Sequence, residues 1–222
     1  MTATDITIPI RNAEPVSGLW QAPDGAQACL VLAHGAGAGM THRSMTALAE
    51  GLAKLDVATL RFQFPYMQRG SKRVDSPAIA QAAVRAAAAV ARERSAGLPL
   101  FAGGKSFGGR MTSQAQAADP LPGVGGLVFF GFPLHPAGKP SVERAAHLHQ
   151  VAAPMLFVQG THDALARLDL LQEVVADLGP RATLQLVDDA DHSLHVPART
   201  GRKDEAVLAE ALAGAAAWIA AR

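Results

Sequence analysis

Six short runs in this chain are apolar at nearly every position, and they restrict its possible folds more than any other feature. They are ACLVLAHG (28–35), VATLRF (57–62), LPLFAGG (98–104), GGLVFFGF (125–132), APMLFVQG (153–160) and ATLQLVD (182–188). A strand with one wet face alternates apolar and polar residues, whereas a strand apolar throughout needs cover on both faces. The cover is present between the runs. Met45, Leu48, Leu52 and Leu55 fall at helical spacing, as do Leu165, Leu168, Leu171, Val175 and Leu178, and Leu208, Leu212, Ala215 and Ile219. The fold class is therefore α/β, with helices on both faces of a mostly parallel sheet. DITIPI (5–10) and SGLWQAP (17–23) predict an antiparallel hairpin at the front edge, which brings the sheet to about eight strands.

Ser76 and Pro77 form an N-cap and first-turn pair for an alanine-rich helix over 77–96, and Gly97 is placed to end it. No repeat, linker or break in composition divides the chain, so the expectation is one domain over residues 1–222. Lys and Arg number 20 against 19 Asp and Glu, which gives no basic field to hold nucleic acid. The single cysteine, Cys29, excludes an intramolecular disulfide and reads as a small core residue. No apolar run approaches the roughly 20 residues needed to span a bilayer. The opening MTATDITIPI lacks the layout of a signal peptide, so a cytoplasmic setting is expected.

The stretch FAGGKSFGGR (101–110) allows two chemistries. A phosphate-binding loop needs Gly five residues before the Gly-Lys-Ser, where backbone N–H groups wrap phosphates; here that residue is Pro99, which has no N–H. The other reading is a strand, a tight turn with Ser106 at its apex, and a helix. It needs little bulk two residues before and two after the serine, where backbone meets backbone, and Gly104 and Gly108 occupy those places.

A serine hydroxyl is a weak nucleophile near neutral pH and needs a histidine to take its proton and a carboxylate to orient that histidine. THDA, after the fifth apolar run, offers Asp163, and DADHSLH, after the sixth, offers His192. Asp188, Asp189 and Asp191 compete for the acid role, and His195 is a second choice of base. Asp163 could also serve only to cap a helix beginning at ALARLDLL. The oxyanion of an acyl-transfer intermediate needs two N–H donors, assigned to Phe107 and to Ala36 in the glycine-rich AHGAGAGM. His34 in that loop reads as structural. The pairs His147/His149 and His192/His195 lack the Cys or Glu company of a metal site, so no metal is expected.

Six blocks, LAHGAGAGMTHRSM, LRFQFPYMQRG, GGKSFGGRMTS, GFPLHPAGKP, LFVQGTHDAL and DADHSLHVP, run from about residue 30 to 200. Jointly they resemble the small α/β-hydrolase group related to testis-expressed protein 30, which is similar in turn to dienelactone-hydrolase-like enzymes. The resemblance implies a Ser-His-Asp hydrolase with Ser106, Asp163 and His192 at the catalytic positions. It implies no substrate: dienelactone hydrolases use a cysteine nucleophile where this chain has Ser106. The group also resembles a scaffolding chromatin-complex subunit, which makes a non-catalytic interaction module the alternative.

Many relatives insert a lid between Gly131 and Ala153; the short segment here leaves room only for a loop and predicts an open site. Phe64, Tyr66, Met67, Phe132 and Leu134 are the expected apolar walls. Arg43, Arg69, Lys72, Arg73 and Arg110 would favour an anionic substrate if they faced the site, and Lys105 could pair with a carboxylate or extend outward. The expected reaction is hydrolysis of an ester or thioester through an acyl-enzyme, with no cofactor required.

Overall fold

The computed structural model describes residues 2–95 and 97–222. Eight strands form one sheet: β1 (Thr4–Ile8), β2 (Val16–Gln21), β3 (Ala28–Ala33), β4 (Val57–Phe62), β5 (Leu100–Lys105), β6 (Val124–Phe130), β7 (Met155–Gly160) and β8 (Ala182–Val187), in the order β1-β2-β4-β3-β5-β6-β7-β8. β1 pairs antiparallel with β2, and β2 with β4; every other pairing is parallel. β3, β4 and β7 are buried at every residue, as their unbroken apolar character requires, while β8 at the sheet edge is only partly covered.

The helices are α1 (Arg43–Ala53), α2 (Pro65–Gln68), α3 (Pro77–Arg94), α4 (Phe107–Ala118), α5 (Leu168–Leu178) and α6 (Asp204–Ala220). Residues of α3, α4 and α5 join one apolar cluster and those of α1 and α6 a second, so the sheet divides two cores. Ser76 stands at the N-cap of α3 with Pro77 after it, although the serine hydroxyl makes no capping bond. Ala96, where the sequence reading ended that helix, lies outside the described residues. Cys29 is fully buried, and burial pushes its thiol up to about 12, which leaves it a packing residue.

Between β6 and β7 the chain forms only a short 3-10 segment (Glu143–Gln150), so no lid domain stands over the carboxyl ends of the strands. His147 in this segment bonds Ser113 of α4 (Nε2 to Oγ, 2.7 Å), and burial, followed by the Arg110 charge, pushes its pKa down to about 4. Among the described residues, no helix is long and apolar enough to cross a membrane.

The helical stripe expected from Leu165 begins later. α5 starts at Leu168 with Arg167 at its N-cap, because Asp163 turns the intervening residues into a separate loop: its carboxylate accepts the Leu165 N–H (2.7 Å) and its carbonyl the Ala166 N–H (3.1 Å). Asp163 is therefore not the cap of that helix.

Candidate active site

β5 ends in the turn expected of a nucleophile. Ser106 has φ 52° and ψ −117°, a strained conformation for a residue with a Cβ, and α4 begins at the next residue. The flanking glycines explain how the turn fits. A Cβ on either Gly104 or Gly108 would collide with the carbonyl of Ala33 at the end of β3, so both positions let the elbow close onto the neighbouring strand.

The three expected side chains meet at this point. His192 Nδ1 lies 2.6 Å from Asp163 Oδ2, and its Nε2 lies 2.8 Å from Ser106 Oγ. A carboxylate can only accept, so Nδ1 carries the hydrogen and Nε2 of the neutral ring accepts from the serine hydroxyl. The Asp163 side chain has no exposure, whereas His192 keeps 21%, enough to face an incoming molecule. Gly131, with φ +70°, lies against the imidazole; a Cβ there would stand 3.3 Å from its ring and 3.0 Å from the His192 carbonyl.

The competing residues are occupied elsewhere. Asp191 braces the histidine loop from within, its Oδ1 accepting the N–H groups of Ser193 (2.7 Å) and His195 (3.0 Å). Asp189 lies 3.8 Å from His162 and 3.6 Å from Arg199, while the Asp188 side chain is on the exposed edge. His195, the second choice of base, bonds Asp204 at the start of α6 (2.7 Å) rather than the serine. That bond raises its pKa above the usual histidine value.

The first N–H groups of any α-helix have no intrahelical acceptor, which leaves the Phe107 N–H available beside Ser106. Across the turn, the loop after β3 brings Ala36 to the same cleft, with Gly35 packed against the Ser106 Cβ. His34 shapes this loop. Its Nδ1–H donates to the Gly35 carbonyl (2.8 Å), and its Nε2 accepts the Phe64 N–H (3.0 Å), which joins the turns after β3 and β4. Burial holds its pKa down to about 4, so the ring is neutral and both bonds persist near neutral pH.

Ser106 and His192 open on a cleft of about 800 Å³ between α1, α6 and the histidine loop. The walls differ from expectation. Phe64, Tyr66, Phe132 and Leu134 are fully buried in the core beneath α3 and α4, and Met67 packs against that core, so none lines the cleft. Tyr66 contributes indirectly, its hydroxyl accepting the Gly37 N–H (3.3 Å). The apolar lining comes instead from Ala47, Leu48, Phe130, Leu165, Leu194 and Leu208.

Of the five arginines and lysines weighed for anion recognition, only Arg43 borders the cleft. Arg69 pairs with Asp75 (2.9 Å), and Lys72, Arg73 and Arg110 lie elsewhere. Lys105 lines the cleft beside Ser106; burial pushes its pKa down, against the opposing pull of Asp191 and Asp163.

Two residues of the site escaped the sequence reading. His135, nearly buried, donates from Nδ1 to the Pro136 carbonyl (2.9 Å) and accepts the Arg167 N–H at Nε2 (2.9 Å), stitching the loop after β6 to the Asp163 loop. Gln159, fully buried in β7, bonds the Asp163 carboxylate itself. The only available signal was a polar amide inside an otherwise apolar strand.

A family model described as an alpha/beta hydrolase domain matches residues 26–220. The chain belongs to the alpha/beta hydrolase domain family. Solved structures share its fold over nearly their whole length. A dienelactone hydrolase from Anabaena variabilis is 19% identical, with 98% of this chain and 96% of that one covered and a TM-score of 0.77. A serine hydrolase without a lid from Xanthomonas campestris is 20% identical, with coverages of 98% and 95% and a TM-score of 0.75. The esterase domain of a Rhodothermus marinus protein is 16% identical, with coverages of 98% and 98% and a TM-score of 0.73. At such identities the likeness to this hydrolase-family chain is one of fold.

Proposed function

We propose that this chain is a serine hydrolase of carboxylic esters or thioesters, acting as one domain over residues 1–222. The observation that carries the reading is the hydrogen-bonded series Ser106, His192, Asp163, held at 2.8 and 2.6 Å, with its serine strained at the head of α4. Ser106 Oγ attacks the substrate carbonyl as its proton passes to His192 Nε2, and Asp163 stabilises the imidazolium. The N–H groups of Ala36 and Phe107 receive the oxyanion. Collapse of the intermediate expels the alcohol or thiol with the proton from His192. The same histidine then deprotonates a water that attacks the acyl-serine, and the acid and free enzyme are released.

The esterase and serine-hydrolase neighbours support an ester substrate. The six sequence blocks support a place beside the testis-expressed protein 30 group within the family. The open cleft and its apolar lining favour a short or medium acyl chain.

The test is turnover of a panel of p-nitrophenyl esters together with labelling by a fluorophosphonate probe, for the native chain beside Ser106→Ala. The expected result is labelling and hydrolysis by the first and neither by the second, a loss of at least about a thousandfold. A native chain that neither labels nor hydrolyses would overturn the reading in favour of an interaction module.

A further inference from the structure

A fully buried glutamine stands behind the acid of the series. Gln159 is the penultimate residue of β7, and its side chain is held at both ends: Oε1 accepts the Phe132 N–H (2.8 Å), and Nε2 donates to Asp163 Oδ2. That same oxygen receives the His192 Nδ1–H, while Oδ1 receives the Leu165 N–H (2.7 Å). The amide has only one workable orientation. Reversed, its oxygen would face a carboxylate and its NH₂ a backbone N–H, leaving the Phe132 N–H and both ends of the amide unsatisfied and Asp163 Oδ2 with His192 alone.

We infer that Gln159 is a positioning residue for the proposed reaction, aiming Asp163 Oδ2 at His192 by tying it to the backbone of the loop after β6. The inference rests on the hydrolase reading. The tie is rigid at its far end: Phe132 follows Gly131, whose N–H is bonded to the Val158 carbonyl (2.9 Å) and whose Cα faces the His192 ring. Gln159 thus couples the acid to the segment against which the base packs, so the two cannot shift independently. A carboxylate with no exposure cannot rely on water for its remaining donors. Without the glutamine, Oδ2 keeps one partner, and the Asp163 side chain is free to rotate toward Leu165.

Two variants separate this role from packing. Gln159→Met keeps the volume and deletes both hydrogen bonds; it is expected to lower kcat/KM by about 10- to 100-fold at every pH, the usual scale for a bond to a charged acceptor. Gln159→Glu is isosteric, and in its protonated form it makes both bonds, the hydroxyl donating to Asp163 and the carbonyl accepting from Phe132. Burial beside a carboxylate holds that proton to well above the normal glutamate range. The ratio of Gln159→Glu to native activity should then be near one at acid pH and fall as pH rises, while the Gln159→Met ratio stays low and flat.

A proton NMR measurement of the His192 Nδ1–H resonance reads the same tie without turnover. It should shift in folded Gln159→Met, whether or not the protein hydrolyses any ester. An unmoved resonance, or two activity ratios that are equally low and flat with pH, would overturn the positioning role. Absence of hydrolysis by the native chain would instead bear on the hydrolase reading and leave the NMR arm to decide this one.

Discussion

The Ala33 carbonyl occupies the space that a Cβ on Gly108 would need. One backbone contact thereby sets how near α4 and its strained serine stand to the loop after β3 that carries Ala36. Gly108→Ala must push the helix off β3, since the His34 carbonyl, 2.6 Å from the same Cβ site, closes the other direction. The expected cost is about 1–3 kcal/mol, the usual scale of overpacking, read as a Tm lower by several degrees in thermal melts. Ester hydrolysis should fall further than stability does, because the two proposed oxyanion donors, Ala36 and Phe107, sit on opposite sides of that contact. An unchanged Tm and rate would show that the strands yield without cost.

The proposed base, His192, and acid, Asp163, can be distinguished from their neighbours by substitution. His192→Ala and Asp163→Asn should each lose on the order of 10³-fold or more in kcat, the second because an amide favours the wrong imidazole tautomer. His195→Ala should lose less than about tenfold, since His195 is bonded to Asp204 and not to Ser106. Parallel kinetics on folded variants check this. A deeper loss in His195→Ala than in His192→Ala would contradict the assignment.

Acid should weaken the fold through two histidines, His34 buried and His147 half-buried. His34 and His147 titrate near 4 in the folded chain, against 6.5 for an unperturbed histidine. The unfolded chain therefore binds more protons than the folded one between those values, so stability rises with pH across that window and falls as pH drops through it. Denaturant unfolding at a series of pH values from 7.5 to 4.5 should give a steadily falling midpoint. His34→Gln, whose amide oxygen can accept from Phe64, should flatten part of that slope. A flat profile in the native chain would count against both rings being neutral in the folded state.

The cleft lining predicts selectivity by acyl length. Leu208, near the start of α6, and Leu48 of α1 both border the space beside Ser106. Leu208→Trp should shorten that space and lower kcat/KM for an octanoate ester by roughly tenfold relative to butyrate, the scale of discrimination by a few methylenes. Equal effects on both esters would place the acyl chain elsewhere.

The sheet was readable because burial on both faces leaves a mark in composition: β3, β4 and β7 are apolar at almost every position and buried at all of them. The exceptions are informative. Arg61 is buried within β4, with its guanidinium bonded to Met40, Thr46 and Gln21, and the pattern tolerated it as a single charged residue. Gln159 was passed over for the same reason. Leu165 matched the helical period of α5 by coincidence, because periodicity does not register a side chain that turns the chain first.

The misplaced walls had a different origin. Phe64, Tyr66, Phe132 and Leu134 stand just after strand ends, where a cleft was expected, but period-two alternation stops at a strand end and the loop decides which way each side chain points. There the loops, and for Tyr66 the short α2, turned all four into the core beneath α3 and α4.

By itself the sequence determined the local matters: which segments need two-sided cover, where a turn tolerates no Cβ, and the order of serine, acid and histidine along the chain. Those depend on residue type and spacing over a few positions. Only the tertiary structure decided that Asp163 rather than Asp191 reaches His192, that Ser106 meets a histidine 86 residues away, and that a buried glutamine bonds the Asp163 carboxylate. Such contacts depend on strand register and on loop paths between distant segments, and no local pattern of residues carries that information.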